Sequence, residues 1–405
     1  MLRGGSGDRP MDRPFLPYGR QDIDASDREA VLRALESDFL TTGPEAPAFE
    51  QAFCGATGAV EAVSCANGTA ALQLALDALG VGAGDVCVVP AITFMATANA
   101  ALYCGADVVF ADVDPETGLL TPDTFEAALA RAEGAPSAVL PVHLAGEVCD
   151  MDAIAAIARD RGMAIVEDSC HALGSQDAAG SAVGSARLCD AATFSFHPVK
   201  TIACGEGGMI TTADPVLAER MRRRRSHGIE RDPARFTRAE GANEPWWHEM
   251  TEIGWNFRLS DLHAALGRSQ LARLPAFAAR RQRLAALYAE ALAPLAPLVC
   301  GPARGAGRSV CRHLMNVRID FEAAGVCRAA VMERLKAHGI GSQVHYIPVH
   351  RQPVHAQRHP GLSLPGAERY YARTLSLPLF PSMSDADPAR VADALKDALG
   401  LWRLF

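Results

Sequence analysis

Apolar and polar positions alternate in blocks along the first two-thirds of the chain. Short apolar runs at Val86–Val89, Val108–Phe110, Val139–His143, Ala164–Val166, Ala192–Phe196 and Gly208–Thr212 read as buried strands. Helical spacing lies between several of them. Thr69–Leu79 sets Leu72, Ala75, Leu76 and Leu79 on one face and stops at Gly80, and Ala153–Arg161 is similar. Upstream, Ser26-x-x-Glu29 reads as a capping box ahead of Val31, Leu32 and Leu35, and Thr41-Thr42-Gly43-Pro44 as a turn. Strands alternating with helices predict an α/β fold with a mostly parallel sheet covered on both faces. After about residue 260 the texture changes to Ala/Leu/Arg helices, Leu262–Leu274 and Ala278–Leu292. Pro294, Pro297 and Pro302 follow, and then a smaller α+β unit that ends in the helix Pro388–Leu399. The expected organisation is a tail at 1–14, a large domain at 15–260 and a small C-terminal domain at 261–405.

Composition narrows the functional classes. The 405 residues carry a net charge of −8, with no basic surplus to drive nucleic-acid binding. The run Arg222–Arg225 reads as a solvated helix face. No apolar stretch is long enough for a membrane span, and the Gly/Arg/Asp-rich start lacks the apolar centre of a signal peptide. Eleven cysteines, without a C-x-x-C pair, argue against a disulfide framework or a structural zinc site and for a reducing cytoplasm. Of 39 basic side chains only three are lysines: Lys200, Lys336 and Lys396. Where a guanidinium would serve, this chain uses arginine, so a retained lysine raises the question of what an amine alone can do: deprotonate and attack a carbonyl.

Four polar clusters sit at strand ends or beside them, where ligands of open α/β sheets bind. Asn67-Gly68-Thr69 opens a helix; it suits a phosphate, and equally a plain helix cap. Glu167-Asp168-Ser169-Cys170-His171 puts acids at a buried strand end, where a pyridinium nitrogen, a metal or an N-cap role would satisfy them. Ser195-Phe196-His197-Pro198-Val199-Lys200 places one of the three lysines in a strand-following turn, ahead of Gly205-Glu206-Gly207-Gly208, where backbone can pass close to a ligand. Asp at one strand end, Lys at another and a phosphate-type helix start upstream together form the layout of a pyridoxal phosphate site. The fourth cluster, Trp246-Trp247 with Gly254-Trp255-Asn256-Phe257-Arg258, reads as core packing or as an exposed aromatic surface for a sugar, a base or another subunit. Two decoys are set aside. Gly80-x-Gly82-x-Gly84 ends a helix and precedes a strand, the reverse of a dinucleotide loop. His345, His350, His355 and His359 are interrupted by Pro348 and Pro353 and lack a carboxylate at metalloprotease spacing, so no metal site is expected.

With these residues in place, the chain resembles the DegT/StrS family of pyridoxal phosphate-dependent sugar aminotransferases over residues 15–400. Pro17-Tyr18-Gly19-Arg20-Gln21, Phe39-Leu40-Thr41-Thr42-Gly43-Pro44, the Ser195–Lys200 run and the Trp246–Arg258 segment make it most similar to the PseC-type transaminases of pseudaminic acid synthesis. The resemblance implies an aspartate-aminotransferase-like (type I) fold and two catalytic residues, Lys200 as the attaching lysine and Asp168 as the partner of the pyridine nitrogen. It further implies phosphate contacts at Gly68, Thr69 and Ser195, Phe94 stacked on the ring, His171 on the other side, and Asn256 reaching across from the neighbouring subunit of a homodimer. Tyr18, Thr42, His227, Trp255, Arg258, Tyr346 and His350 are implied on the substrate side. Some family members carry His in place of the lysine and act as dehydratases; Lys200 favours transamination. The implied substrates are a UDP-linked 4-keto-6-deoxy-N-acetylhexosamine and L-glutamate, with another nucleotide-4-ketosugar as the alternative. A non-catalytic cofactor-binding regulator is the reading from a different class.

Overall fold

The computed structural model describes residues 14–238, 240 and 244–401; apart from Pro14, the expected tail lies outside the described residues. A seven-stranded sheet forms the centre, built from β1 (Glu61–Cys65), β2 (Val86–Pro90), β3 (Asp107–Ala111), β4 (Ala138–Val139), β5 (Ala164–Asp168), β6 (Ala191–Ser195) and β7 (Gly208–Thr212). Its order is β1-β7-β6-β5-β4-β2-β3. Every neighbour pair is parallel except those of β7, which runs antiparallel to both β1 and β6. β1 was not among the expected strands. It is short and carries Glu61 and Ser64 among its apolar residues, so its pattern is weak. The expected strand at 139–143 shortens to Ala138–Val139, because Pro141 cannot donate to a ladder; pairing resumes only as a bridge from Val142 to Asp168.

The first helix, Ala25–Leu35, corrects two expectations. Its N-cap is Asp24, whose side chain and that of Asp27 form the reciprocal box; Ser26 Oγ donates to Asp24 Oδ1 from inside the helix. Leu32 and Leu35 are 54% and 51% exposed, and the helix buries Asp27, Ala30 and Ala34 instead. Fully buried Asp27 accepts from Ser269 Oγ (2.7 Å), Gln270 Nε2 (2.6 Å) and Arg273 Nη1 (2.7 Å), so a satisfied polar network docks this helix onto the helix Asp261–Ala272.

A hairpin of β8 (Ile229–Glu230) and β9 (Glu249–Met250) precedes that helix. The C-terminal part builds an antiparallel sheet of β10 (Val299–Cys300), β11 (Met315–Ile319) and β12 (Thr374–Leu377). Its core contains Leu284, Tyr288, Val317, Val331, Leu335 and Leu395. The two cores meet within the helix Leu274–Leu292, C-terminal to the 260/261 boundary read from the sequence. Leu274 and Phe277 pack on the large core; Leu284, Tyr288 and Leu292 pack on the small one. Between them on the same helix lies Arg281, 1% exposed, whose Nη1 donates to the carbonyls of Arg312 (3.3 Å), His313 (3.2 Å) and Leu379 (3.1 Å). The chain then returns to the large core through Val349, Leu364 and Tyr370. Among the described residues no helix is long and apolar enough to cross a membrane.

Candidate active site

Because β1, β2, β4, β5 and β6 are parallel, their carboxyl ends share one edge, and the side chains that follow them surround a cavity of about 630 Å³. One end is the start of the helix Gly68–Ala78. Asn67 caps it, with Oδ1 accepting from Ala70 N (2.9 Å). The remaining N–H groups of the first turn have no partner within the helix and carry the positive end of its dipole. Gly68 is required by a close approach: a Cβ there would lie 2.8 Å from Ser195 Cβ and 3.3 Å from its Oγ. The glycine therefore lets the hydroxyls of Thr69 and Ser195 share the cavity with the helix start. The glycine run at 205–208 makes its closest approach to the protein's own backbone, since a Cβ on Gly208 would meet Asn67 O at 2.4 Å.

At the other end β5 separates its two acids by the period of a strand. Glu167 turns to the opposite face and meets His143 Nε2 at 3.3 Å. Asp168 faces the cavity, 6% exposed, and is held by two donors: Thr97 Oγ1 to Oδ2 (2.7 Å) and Cys170 N to Oδ1 (3.2 Å). Thr97 also shares a 2.7 Å hydrogen bond with Thr93 Oγ1. Lys200 enters from the turn after β6, where its backbone N–H closes onto His197 O (2.8 Å). Its side chain lines the cavity and forms no ion pair among the described residues. Burial lowers its pKa below the ordinary 10.5, partly offset by attraction to Cys170 and Asp168. A depressed lysine is more often the free amine, the nucleophilic form.

Aromatic side chains close the far wall. His171 Nδ1 accepts from Ala145 N (3.3 Å), and its Nε2 lies 3.1 Å from Tyr346 Oη. His313 packs against His171, ring centroids 4.4 Å apart, and its backbone N–H donates to Ala145 O (3.0 Å). Ala145 thus serves both histidines, from a left-handed conformation (φ 59°, ψ 11°) that costs a non-glycine residue about 1–2 kcal/mol. Burial, then the positive Lys200 and the neighbouring His345, hold the His171 pKa well below 6.5. Burial, then Lys200, takes His345 down to about 3. Burial and nearby Asp168 push the Tyr346 phenol well above 10. Phe94, 52% exposed, stands at the mouth with its ring 6.1 Å from that of Tyr346. Tyr18 completes this side, 5.6 Å from the His345 ring.

Nine of the residues expected at the site therefore share the cavity: Tyr18, Gly68, Thr69, Phe94, Asp168, His171, Ser195, Lys200 and Tyr346. Six do not line it. Thr42, His227 and Asn256 are exposed, Trp255 and Arg258 are half-buried, and Trp255 stacks on Phe257 at 5.6 Å. His350 is buried behind the wall, where its ring, with those of His355 and His359, packs around Phe110. In the tryptophan cluster Trp246 is 71% exposed and Trp247 half-buried. The arginine run is not a solvated face. Arg222 pairs with Glu61, Arg223 and Arg224 with Glu252, and Arg225 with Glu50, all half-buried or deeper. Sequence reasoning missed Thr97, His313 and Gln343. None lies in a strand-end motif, and the last two arrive from the C-terminal part of the chain.

The donor set fits pyridoxal phosphate. A helix start and two hydroxyls suit its phosphate, a carboxylate suits its ring nitrogen, and a buried amine lies in the same cavity; the space that Gly68 leaves open would be filled by any Cβ. A model of the DegT/DnrJ/EryC1/StrS aminotransferase family matches residues 21–396. Solved structures agree. DesI, crystallised in the presence of its TDP-sugar product, is 34% identical over 98% of this chain and 96% of its own, with a TM-score of 0.84. Helicobacter pylori PseC, an aminotransferase of pseudaminic acid biosynthesis, is 27% identical over 96% of this chain and 100% of its own, with a TM-score of 0.86. The sugar aminotransferase Spr1654 of Streptococcus pneumoniae, in its pyridoxal phosphate form, is 27% identical over 96% and 99%, with a TM-score of 0.84, and it is also known in the pyridoxamine phosphate form. The chain belongs to the DegT/DnrJ/EryC1/StrS aminotransferase family, whose members depend on pyridoxal phosphate, and it is a sugar aminotransferase.

Proposed function

We propose that this enzyme moves an amino group from L-glutamate to C4 of a UDP-linked 4-keto-6-deoxy-N-acetylhexosamine, giving UDP-4-amino-4,6-dideoxy-N-acetyl-β-L-altrosamine. The observation that carries the chemistry is a lysine of depressed pKa and an anchored aspartate in one cavity with a helix start. When bound, the cofactor supplies an electron sink for the carbanion at the donor α-carbon and a temporary seat for the amino group. Lys200 Nζ would hold the cofactor, and its free amine would carry the proton away from the donor α-carbon. Asp168, kept in place by Thr97 and the Cys170 amide, would pair with the ring nitrogen. The first-turn amides of the helix Gly68–Ala78, with Thr69 and Ser195, would hold the phosphate. Phe94 and His171, which line the cavity, would flank the ring and exclude water.

The likeness to PseC supports the sugar. The higher identity to DesI favours a second reading, a TDP-linked 4-ketosugar. Asn256, with Trp255 and Arg258 beside it, lies outside its own chain's cavity, and we place this segment at the cavity of a second copy in a homodimer. The deciding experiment converts the protein to its pyridoxamine form and mixes it with the UDP-β-L-arabino 4-ketosugar, its D-xylo epimer or a TDP-4-keto-6-deoxyhexose, following return of the aldehyde-form absorbance. Return with the L-arabino compound alone is expected. Return only with the D-xylo or TDP compound moves the enzyme to another amino-sugar route, and no return with any of them refutes the sugar assignment.

A further inference from the structure

His171 sits in the cavity with both ring nitrogens engaged, and the two contacts are not equivalent. Nδ1 faces a backbone N–H, that of Ala145, which can only donate. Nδ1 must therefore carry a lone pair. In a neutral imidazole the proton then sits on Nε2. That nitrogen lies 3.1 Å from Tyr346 Oη, so the histidine donates and the phenol oxygen accepts. The hydrogen of Tyr346 cannot point back at His171. It is left for the cavity, which Tyr346 lines.

We infer that His171 is a positioning residue: the Ala145 amide fixes it as the Nε2–H tautomer, and it turns the Tyr346 hydroxyl hydrogen into the cavity, toward an acceptor oxygen of the bound substrate. The turn that does this is firmly held. Ala145 O takes the His313 amide, and a Cβ on Gly146 would lie 2.2 Å from Cys311 O, so 145–146 is pressed against 311–313. The titratable groups around His171 work in the same direction. Lys200, His345 and His313 surround it, and burial disfavours a second proton on the ring. The inference rests on the transaminase reading only for what occupies the cavity. Two substrate oxygens have the required chemistry, the carboxylate of the amino donor and the ketone of the sugar. A phenol that offers its hydrogen favours the ketone over the ammonium group that replaces it.

The test has two independent readouts. In protein labelled with 15N-histidine, with the His171 signals assigned by their loss in His171→Gln, Nε2 should be protonated and Nδ1 bare, unchanged from pH 6 to 8. A protonated Nδ1, or an imidazolium in that range, overturns the inference. The second readout is a double-mutant cycle on the separate half-reactions, glutamate bleaching and ketosugar recovery. His171→Asn keeps an acceptor near the Ala145 amide but cannot reach Tyr346. It should slow the same half-reaction as Tyr346→Phe, each by roughly tenfold, with the double variant no slower than either single one. His171→Gln, whose amide extends to the Nε2 position, should recover part of the loss. The half-reaction affected identifies which oxygen Tyr346 meets. Losses that multiply to about a hundredfold would show the two residues acting separately and refute the inference. Wild-type protein that fails to bleach with glutamate would refute the transaminase reading, while the tautomer measurement would still decide this one.

Discussion

Thr97→Val is the perturbation that most directly probes how the aspartate is held. Valine keeps the shape and removes one hydroxyl at the centre of a short relay. Thr97 has a single hydrogen, and Asp168 Oδ2 at 2.7 Å is a nearer acceptor than Phe94 O at 3.2 Å, so the hydrogen goes to the carboxylate. Thr93 must then donate to Thr97 across their 2.7 Å contact. Valine strands both neighbours: a buried carboxylate oxygen loses its closest donor and a buried hydroxyl loses its acceptor. A hydrogen bond to a charged group contributes about 1.5–3 kcal/mol, so a loss of that size is expected in the urea stability of the apoprotein. A carboxylate free to rotate should also slow glutamate bleaching by about tenfold to a hundredfold. Thr93→Val removes only the outer hydroxyl and should cost about 1 kcal/mol or less. Thr97→Ser should restore both quantities. The reasoning is refuted if Thr97→Val unfolds at the wild-type urea midpoint and bleaches at the wild-type rate, or if Thr93→Val proves the more damaging of the two.

Gly68→Ala should weaken pyridoxal phosphate binding in an absorbance titration by at least tenfold while leaving the far-ultraviolet circular dichroism intact, because its Cβ would displace Ser195 from the helix start; wild-type affinity would contradict the cradle. The Lys200 pKa is depressed in the folded state, so between that value and 10.5 the unfolded chain holds more protons and stability rises with pH. Lys200→Met apoprotein should therefore exceed wild type most at low pH, with the gap closing toward pH 10.5 in urea titrations; a gap independent of pH would refute the shift. Arg281→Met should lower apoprotein stability by about 1–3 kcal/mol, since three buried carbonyls lose their shared donor, whereas an unchanged urea midpoint would show that the clamp contributes nothing.

The residues that share this cavity were legible wherever one strand and its following turn carry the whole signal. Asp168 ends one buried apolar run, Lys200 follows another by one turn, and Gly68-Thr69 opens a helix of clear apolar spacing, so local pattern placed these residues together. Thr97 and His313 were not legible, because each meets its partner in the site through tertiary packing. Thr97 looks like one more helical threonine until β5 brings Asp168 against it. His313 packs on His171 from 142 residues further along the chain, held there by the turn at 145–146. The arginine run misled for a related reason. Four consecutive cations read as solvated, yet Glu50, Glu61 and Glu252 arrive from distant segments to pair with them. Leu32 and Leu35 misled in the opposite sense, having helical spacing while the helix docks through buried Asp27.

The helix Leu274–Leu292 gives its two ends to different cores and its middle to Arg281. Mechanically it is a shared spine. Melting either half withdraws side chains from one core and loosens the clamp on the carbonyls that lead into the other. The two units should accordingly lose heat-resistant structure together, as one calorimetric peak, and a protease that nicks this helix should release neither unit as a folded fragment.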